Sequence, residues 1–95
     1  AAKQAIDGSL YFRLAQVHFE LENYQDTIKY LQLASATGPL KKPGPHHLLN
    51  GLAHYELNRI EKASTAFRKA SKFKTTEQQA VRWLTYIEQS LTKSR

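Results

Sequence analysis

The chain has 95 residues, of which 41% are hydrophobic and 23% charged, with a net charge of +6 and no cysteine. That length makes one small domain at most, whose core must come from close stacking of simple elements. Disulfides and thiolate metal sites are excluded, and no stretch approaches the roughly 20 apolar residues needed to span a bilayer.

Taken in order, the chain reads as a succession of helices. Tyr11, Leu14, Ala15, His18 and Leu21 recur at three- and four-residue steps and predict a first amphipathic helix. Tyr24, Thr27, Ile28, Leu31 and Ala34 predict a second. The two stripes belong to different helices because Glu22-Asn23 breaks the phase, and Asn suits a turn by tolerating the left-handed conformation and capping the next helix. Thr37-Gly38-Pro39-Leu40-Lys41-Lys42-Pro43-Gly44-Pro45 then ends the second helix and holds the connection open, with Pro45 suited to the first turn of the next helix. Leu48, Gly51, Leu52 and Tyr55 predict a third helix, Asn58-Arg59 a break, and Ile60, Ala63, Phe67 and Ala70 a fourth. Ala80, Trp83, Leu84, Ile87 and Leu91 predict a last helix. It opens at Thr75-Thr76, each with a Gln three places on, a capping-box pattern. The expectation is five helices, all-α, with no strand-like alternation.

The pattern repeats. A shift of 36 lays His18-Phe19-Glu20-Leu21 over His54-Tyr55-Glu56-Leu57, Leu31 over Phe67, Ala34-Ser35 over Ala70-Ser71 and Gly8 over Gly44. Shifted once more, Tyr11 and His47 fall over Trp83. A period in the thirties without alternation is the signature of a helical repeat.

These residues resemble the tetratricopeptide repeat, two antiparallel helices with large-x2-Leu-Gly/Ala-x2-Tyr on the first and Ala-x3-Phe on the second. The first unit supplies Tyr11, Leu14, Ala15, His18, Thr27, Leu31, Ala34 and Pro39. The second supplies His47, Asn50, Gly51, His54, Ala63, Phe67 and Ala70, and Trp83 stands where a third would open. Thr27 for Ala, Asn50 for Leu and Lys74-Thr75 for the closing Pro depart from the pattern. The resemblance implies an antiparallel helix-hairpin solenoid of about two repeats, 8–39 and 45–74, joined through 37–45 and closed by a capping helix over 76–92. The arrangement is also similar to the C-terminal end of multi-repeat proteins of Gram-negative bacteria, in the long connection Gly38 to Gly44 and in Ala80, Trp83, Leu84 and Tyr86. The absence of Met and the opening Ala1-Ala2-Lys3 read as a piece of such a longer protein.

The resemblance further implies a concave face lined by the first helix of each unit. Projected here, it holds Phe12, Arg13, Gln16, Phe19 and Glu20, then Leu48, Leu49, Leu52, Tyr55 and Glu56, then Leu84, Thr85 and Glu88. An apolar face of this kind takes an amphipathic helix or an extended peptide of another protein, or else packs within the hairpins or against preceding repeats. Chaperone-tail-binding members of the family clamp a carboxylate here with Lys, Asn and Arg. The matching places hold Phe12, Gln16, Leu49, Val81 and Thr85, so that activity does not carry over.

Two other readings stand beside this one. All the excess charge lies in residues 59–95, where Lys62, Arg68, Lys69, Lys72 and Lys74 could meet nucleic acid or an anionic surface, although Phe67 and Phe73 are the only rings among them. Alternatively the segment is a structural cap for a longer array, able to self-associate through its exposed ends.

No chemistry is encoded in a recognisable constellation. There is no glycine-rich phosphate loop, no nucleophile elbow and no pair of carboxylates in an apolar setting, so neither an enzyme nor a cofactor is expected. His18 and His54, one period apart, share a packing position in the hairpin interior. His46 and His47 are neighbours whose side chains diverge by about 100°, and His47 and His54 are too far apart for the i, i+4 chelation of helical zinc sites. No metal is expected. Cytoplasm and periplasm remain equally open without cysteine.

Overall fold

The computed structural model describes residues 8–93, and every regular element among them is a helix. In order these are α1 (Gly8–Glu20), α2 (Tyr24–Ala36), α3 (Pro43–Glu56), α4 (Ile60–Ala70) and α5 (Glu77–Lys93). α1 packs against α2 and α3 against α4 as two hairpins; α2 meets α3, and α5 lies on α4. The five expected helices are therefore present and stack in chain order.

Both hairpins turn by the same device. Glu22 and Asn58, 36 positions apart, each take φ of 63° in the left-handed region. Asn23 N–H donates to the His18 carbonyl at 2.8 Å and Glu22 N–H to Phe19 at 2.9 Å, while Arg59 and Asn58 repeat the pair on His54 and Tyr55 at 2.8 and 2.9 Å. This is the Schellman closure, which satisfies carbonyls that a helix end leaves open. The sequence pointed to Asn for the left-handed position. In the first hairpin that position falls instead on Glu22, and Asn23 takes the next place, donating back to His18. Asn23 precedes α2 with no side-chain cap bond and sends its amide to His18 Nδ1 at 3.4 Å.

Two further local expectations change. α3 begins at Pro43, so both Pro43 and Pro45 lie in its first turn, where a missing N–H is harmless. The capping box at the start of α5 does not form. Thr76, only 4% exposed, donates its hydroxyl to the Ala70 carbonyl at 2.8 Å, closing the end of α4 rather than opening α5. That carbonyl is a helix-end acceptor in a buried setting, where an unmade bond costs about 1–3 kcal/mol.

Two apolar clusters hold the hairpins. Ala15, Leu31 and Leu49 form the first, with Phe12, Phe19 and Tyr30 packed on it. Ala63, Phe67, Ala70, Ala80 and Ile87 form the second, bordered by Leu48, Leu52, Tyr55, Ile60, Trp83 and Leu84. Thr27 is fully buried where the repeat pattern has Ala, and its hydroxyl donates to the Asn23 carbonyl one turn back at 3.0 Å. The substitution therefore leaves no orphan polar atom.

Small residues set the spacing of the second hairpin. A Cβ on Gly51 would lie 2.6 Å from Phe67 Cε1, and that ring is stacked on Trp83 with centroids 5.5 Å apart and planes 8° from parallel. The ring has little room to retreat. Gly51→Ala should cost about 1–3 kcal/mol through overpacking, despite the better helix propensity of Ala, and thermal melting should show a Tm roughly 5–15 °C lower. Glu22→Gly should act in the opposite sense. It relieves left-handed strain at an exposed position, raising stability by up to about 1 kcal/mol in urea titration, with a smaller gain for Asn58→Gly.

Candidate functional site

The connection between the hairpins makes one wall of a groove. Gly38, with φ of 138°, lets the chain turn sharply after α2, and Pro39 and Pro43 fix φ on either side of Leu40-Lys41-Lys42. The opposite wall is α1, which presents Gly8, Ser9, Phe12, Arg13 and Gln16 along one stripe, and His46 of α3 completes the lining. The cavity measures about 380 Å³, within the range of small-molecule and side-chain pockets. Phe12 and Leu40 are half-buried in it, whereas Arg13, Gln16, Lys41 and Lys42 are exposed.

The residues projected onto the concave face divide. Phe12, Arg13 and Gln16 come together in the groove. Phe19 is half-buried on the first cluster, its ring 5.4 Å from Tyr24 in an edge contact. Leu49 is a correction: at 9% exposed it belongs to the first cluster beside Ala15 and Leu31, facing the preceding hairpin. Leu48, Leu52 and Tyr55 are half-buried against the second cluster, and Tyr55 lies 5.0 Å from Trp83. A hydrogen bond with Tyr86 pushes the Tyr55 hydroxyl pKa upward, with burial adding to it. Glu56 is exposed at the end of α3. Since α3 sits between two helix layers, most of its apolar residues are taken up by packing. α1 keeps its Phe12 side accessible.

The basic residues Lys62, Arg68, Lys69, Lys72 and Lys74 are all exposed. Lys62 and Lys69 border a shallow depression of about 350 Å³ with Asn50, His54, Glu61, Thr65 and Ala66, while the Arg68 guanidinium donates to Thr65 Oγ1 at 3.4 Å. Phe67 is fully buried and Phe73 is stacked on His47 at 6.2 Å, so neither ring is presented to a base beside these cations.

The histidines occupy unlike environments. His18 stacks on Tyr30 at 5.1 Å, with Asp26 4.0 Å from its Nδ1, whereas His54 is 7% exposed with no hydrogen bond to Nδ1 among the described residues. His46 and His47 meet edge to face at 5.2 Å instead of diverging fully. No group of three or more His, Cys, Asp or Glu able to hold a metal occurs among the described residues. No helix among them is long and apolar enough to cross a membrane.

The connection residues Pro39, Leu40, Lys41 and Lys42, and His46 after them, are not marked by the sequence as a binding site. A usable signal was there: an apolar residue and two lysines held between prolines is a rigid, charged loop rather than a flexible linker. No protein-family model, curated protein or solved structure matches this chain.

His46 makes the groove floor sensitive to acid. Burial, then the neighbouring His47 and Lys69, lower its pKa from 6.5 to about 4. The unfolded chain therefore takes up a proton as pH falls through 6.5, and the folded chain resists until about 4. Stability should be full above pH 7 and decline across that window. Urea midpoints measured against pH should fall less steeply for His46→Asn than for the native chain.

Proposed function

We propose that this chain is a non-catalytic, protein-binding repeat module of the tetratricopeptide type. It would hold a segment of another protein in the groove between α1 and the 37–42 connection. The observation that carries the reading is the groove itself: a cavity of about 380 Å³ whose lining gathers Phe12, Arg13 and Gln16 of α1 with Pro39 and Leu40 of the connection. A half-buried ring and an aliphatic side chain form a site for one apolar anchor, and the polar rim can pair with backbone groups of a bound strand or helix. The repeat assignment is supported by identical turns 36 positions apart and by hairpins that pack in sequence order.

A second role is favoured for α5 alone. Trp83 and Leu84 cover the second cluster and Ile87 is buried in it, so this helix closes the hydrophobic layer as a terminal element of a repeat stack would.

The test is selection from a displayed library of short random peptides. The native chain should enrich peptides, and Gln16→Trp, which fills the groove from an exposed position, should weaken them by roughly tenfold or more at unchanged helicity. Failure to enrich, or enriched peptides indifferent to Gln16→Trp, would discard the reading.

A further inference from the structure

The lining of the groove carries charge of one sign. Arg13 stands on the α1 wall and Lys41 and Lys42 on the connection wall, and among the described residues no Asp or Glu lines the cavity. The ion pair found among the described residues is His18–Asp26, so none of the three cations is neutralised by another described side chain within salt-bridge distance. Three like charges around a cavity lined in part by Phe12 and Leu40 raise a focused positive potential, since the field is weakened less by protein than by water.

His46 is only 7% exposed, lines the same cavity, and its Nδ1 has no hydrogen-bond partner among the described residues. The connection is also preorganised. Pro39 and Pro43 restrict the backbone on either side of the lysines, so less entropy is lost when they engage a ligand.

We propose that the groove between α1 and the 37–42 connection takes an acidic segment of another protein. One apolar side chain of the segment rests on Phe12 and Leu40, and neighbouring carboxylates face Arg13, Lys41 and Lys42. The inference rests on the reading of this groove as a protein-binding site and adds the chemistry of its partner. Nucleic acid fits less well. The groove offers a single phenyl ring, Phe12, where single strands need successive rings for stacking.

Fluorescence anisotropy with the full chain tests this using three labelled probes: a peptide alternating Glu and Leu, the same peptide with Gln for each Glu, and a single-stranded oligothymidylate. The Glu peptide should bind roughly tenfold or more tightly than the Gln peptide, and added salt should narrow the gap. Lys41→Glu combined with Lys42→Glu, on an exposed loop, should abolish the difference without loss of helicity. Equal binding of the two peptides, a Glu peptide indifferent to the double reversal, or no binding by any probe would overturn the acidic preference. So would oligothymidylate binding more tightly than the Glu peptide. If Gln16→Trp still weakens the Gln peptide in such a case, the groove survives as a protein-binding site and only its charge preference falls. Indifference of both peptides to Gln16→Trp would remove the groove and the inference together.

Discussion

The contact between Gly51 and the Phe67 ring sets the geometry of the second half of the molecule. Without a side chain at Gly51, α3 and α4 approach closely enough for Phe67 to be fully buried between them. Trp83 then stacks on Phe67 and brings α5 onto the hairpin, and Tyr55 packs on Trp83 in turn. A larger residue at any of these places would propagate through the stack, because packed interiors have few voids to absorb added volume. The start of α3 is tied in the same way. A Cβ on Gly44 would sit 2.6 Å from Thr76 Oγ1, so the α4–α5 junction and the proline-rich entry to α3 are seated against each other.

The groove is a consequence of that arrangement. α3 is held between α2 on one side and α4 on the other, and its apolar residues are divided between two cores. Among the described residues α1 packs against α2 and touches α3, and Phe12, Arg13 and Gln16 face the connection. The connection is long enough to stand beside α1 and stiff enough, through its prolines, to form a wall.

Charge divides along similar lines. The excess of Lys and Arg in residues 59–95 dominates the sequence, yet Lys62, Arg68, Lys69, Lys72 and Lys74 are spread over exposed surface on and just after α4, and Phe67 among them is internal. The three cations nearest an apolar cavity, Arg13, Lys41 and Lys42, come from the half of the chain whose charges cancel on paper. Convergence in space, not abundance in sequence, decides where an electrostatic field is focused.

The sequence by itself determined the helices, their order and their pairing, because three- and four-residue apolar steps have one low-energy interpretation and the Glu22-Asn23, proline and Asn58-Arg59 breaks interrupt it. The resemblance to the tetratricopeptide repeat placed Phe12, Arg13 and Gln16 on one face of the first helix. Tertiary structure alone decided that Leu49 is internal, that Thr76 serves the end of α4, that Glu22 takes the left-handed turn position, and that Leu40, Lys41, Lys42 and His46 share a cavity with Phe12. The physical reason is common to all four. Periodicity tells which residues share a face, but exposure and partnership depend on what another element, distant along the chain, brings against that face.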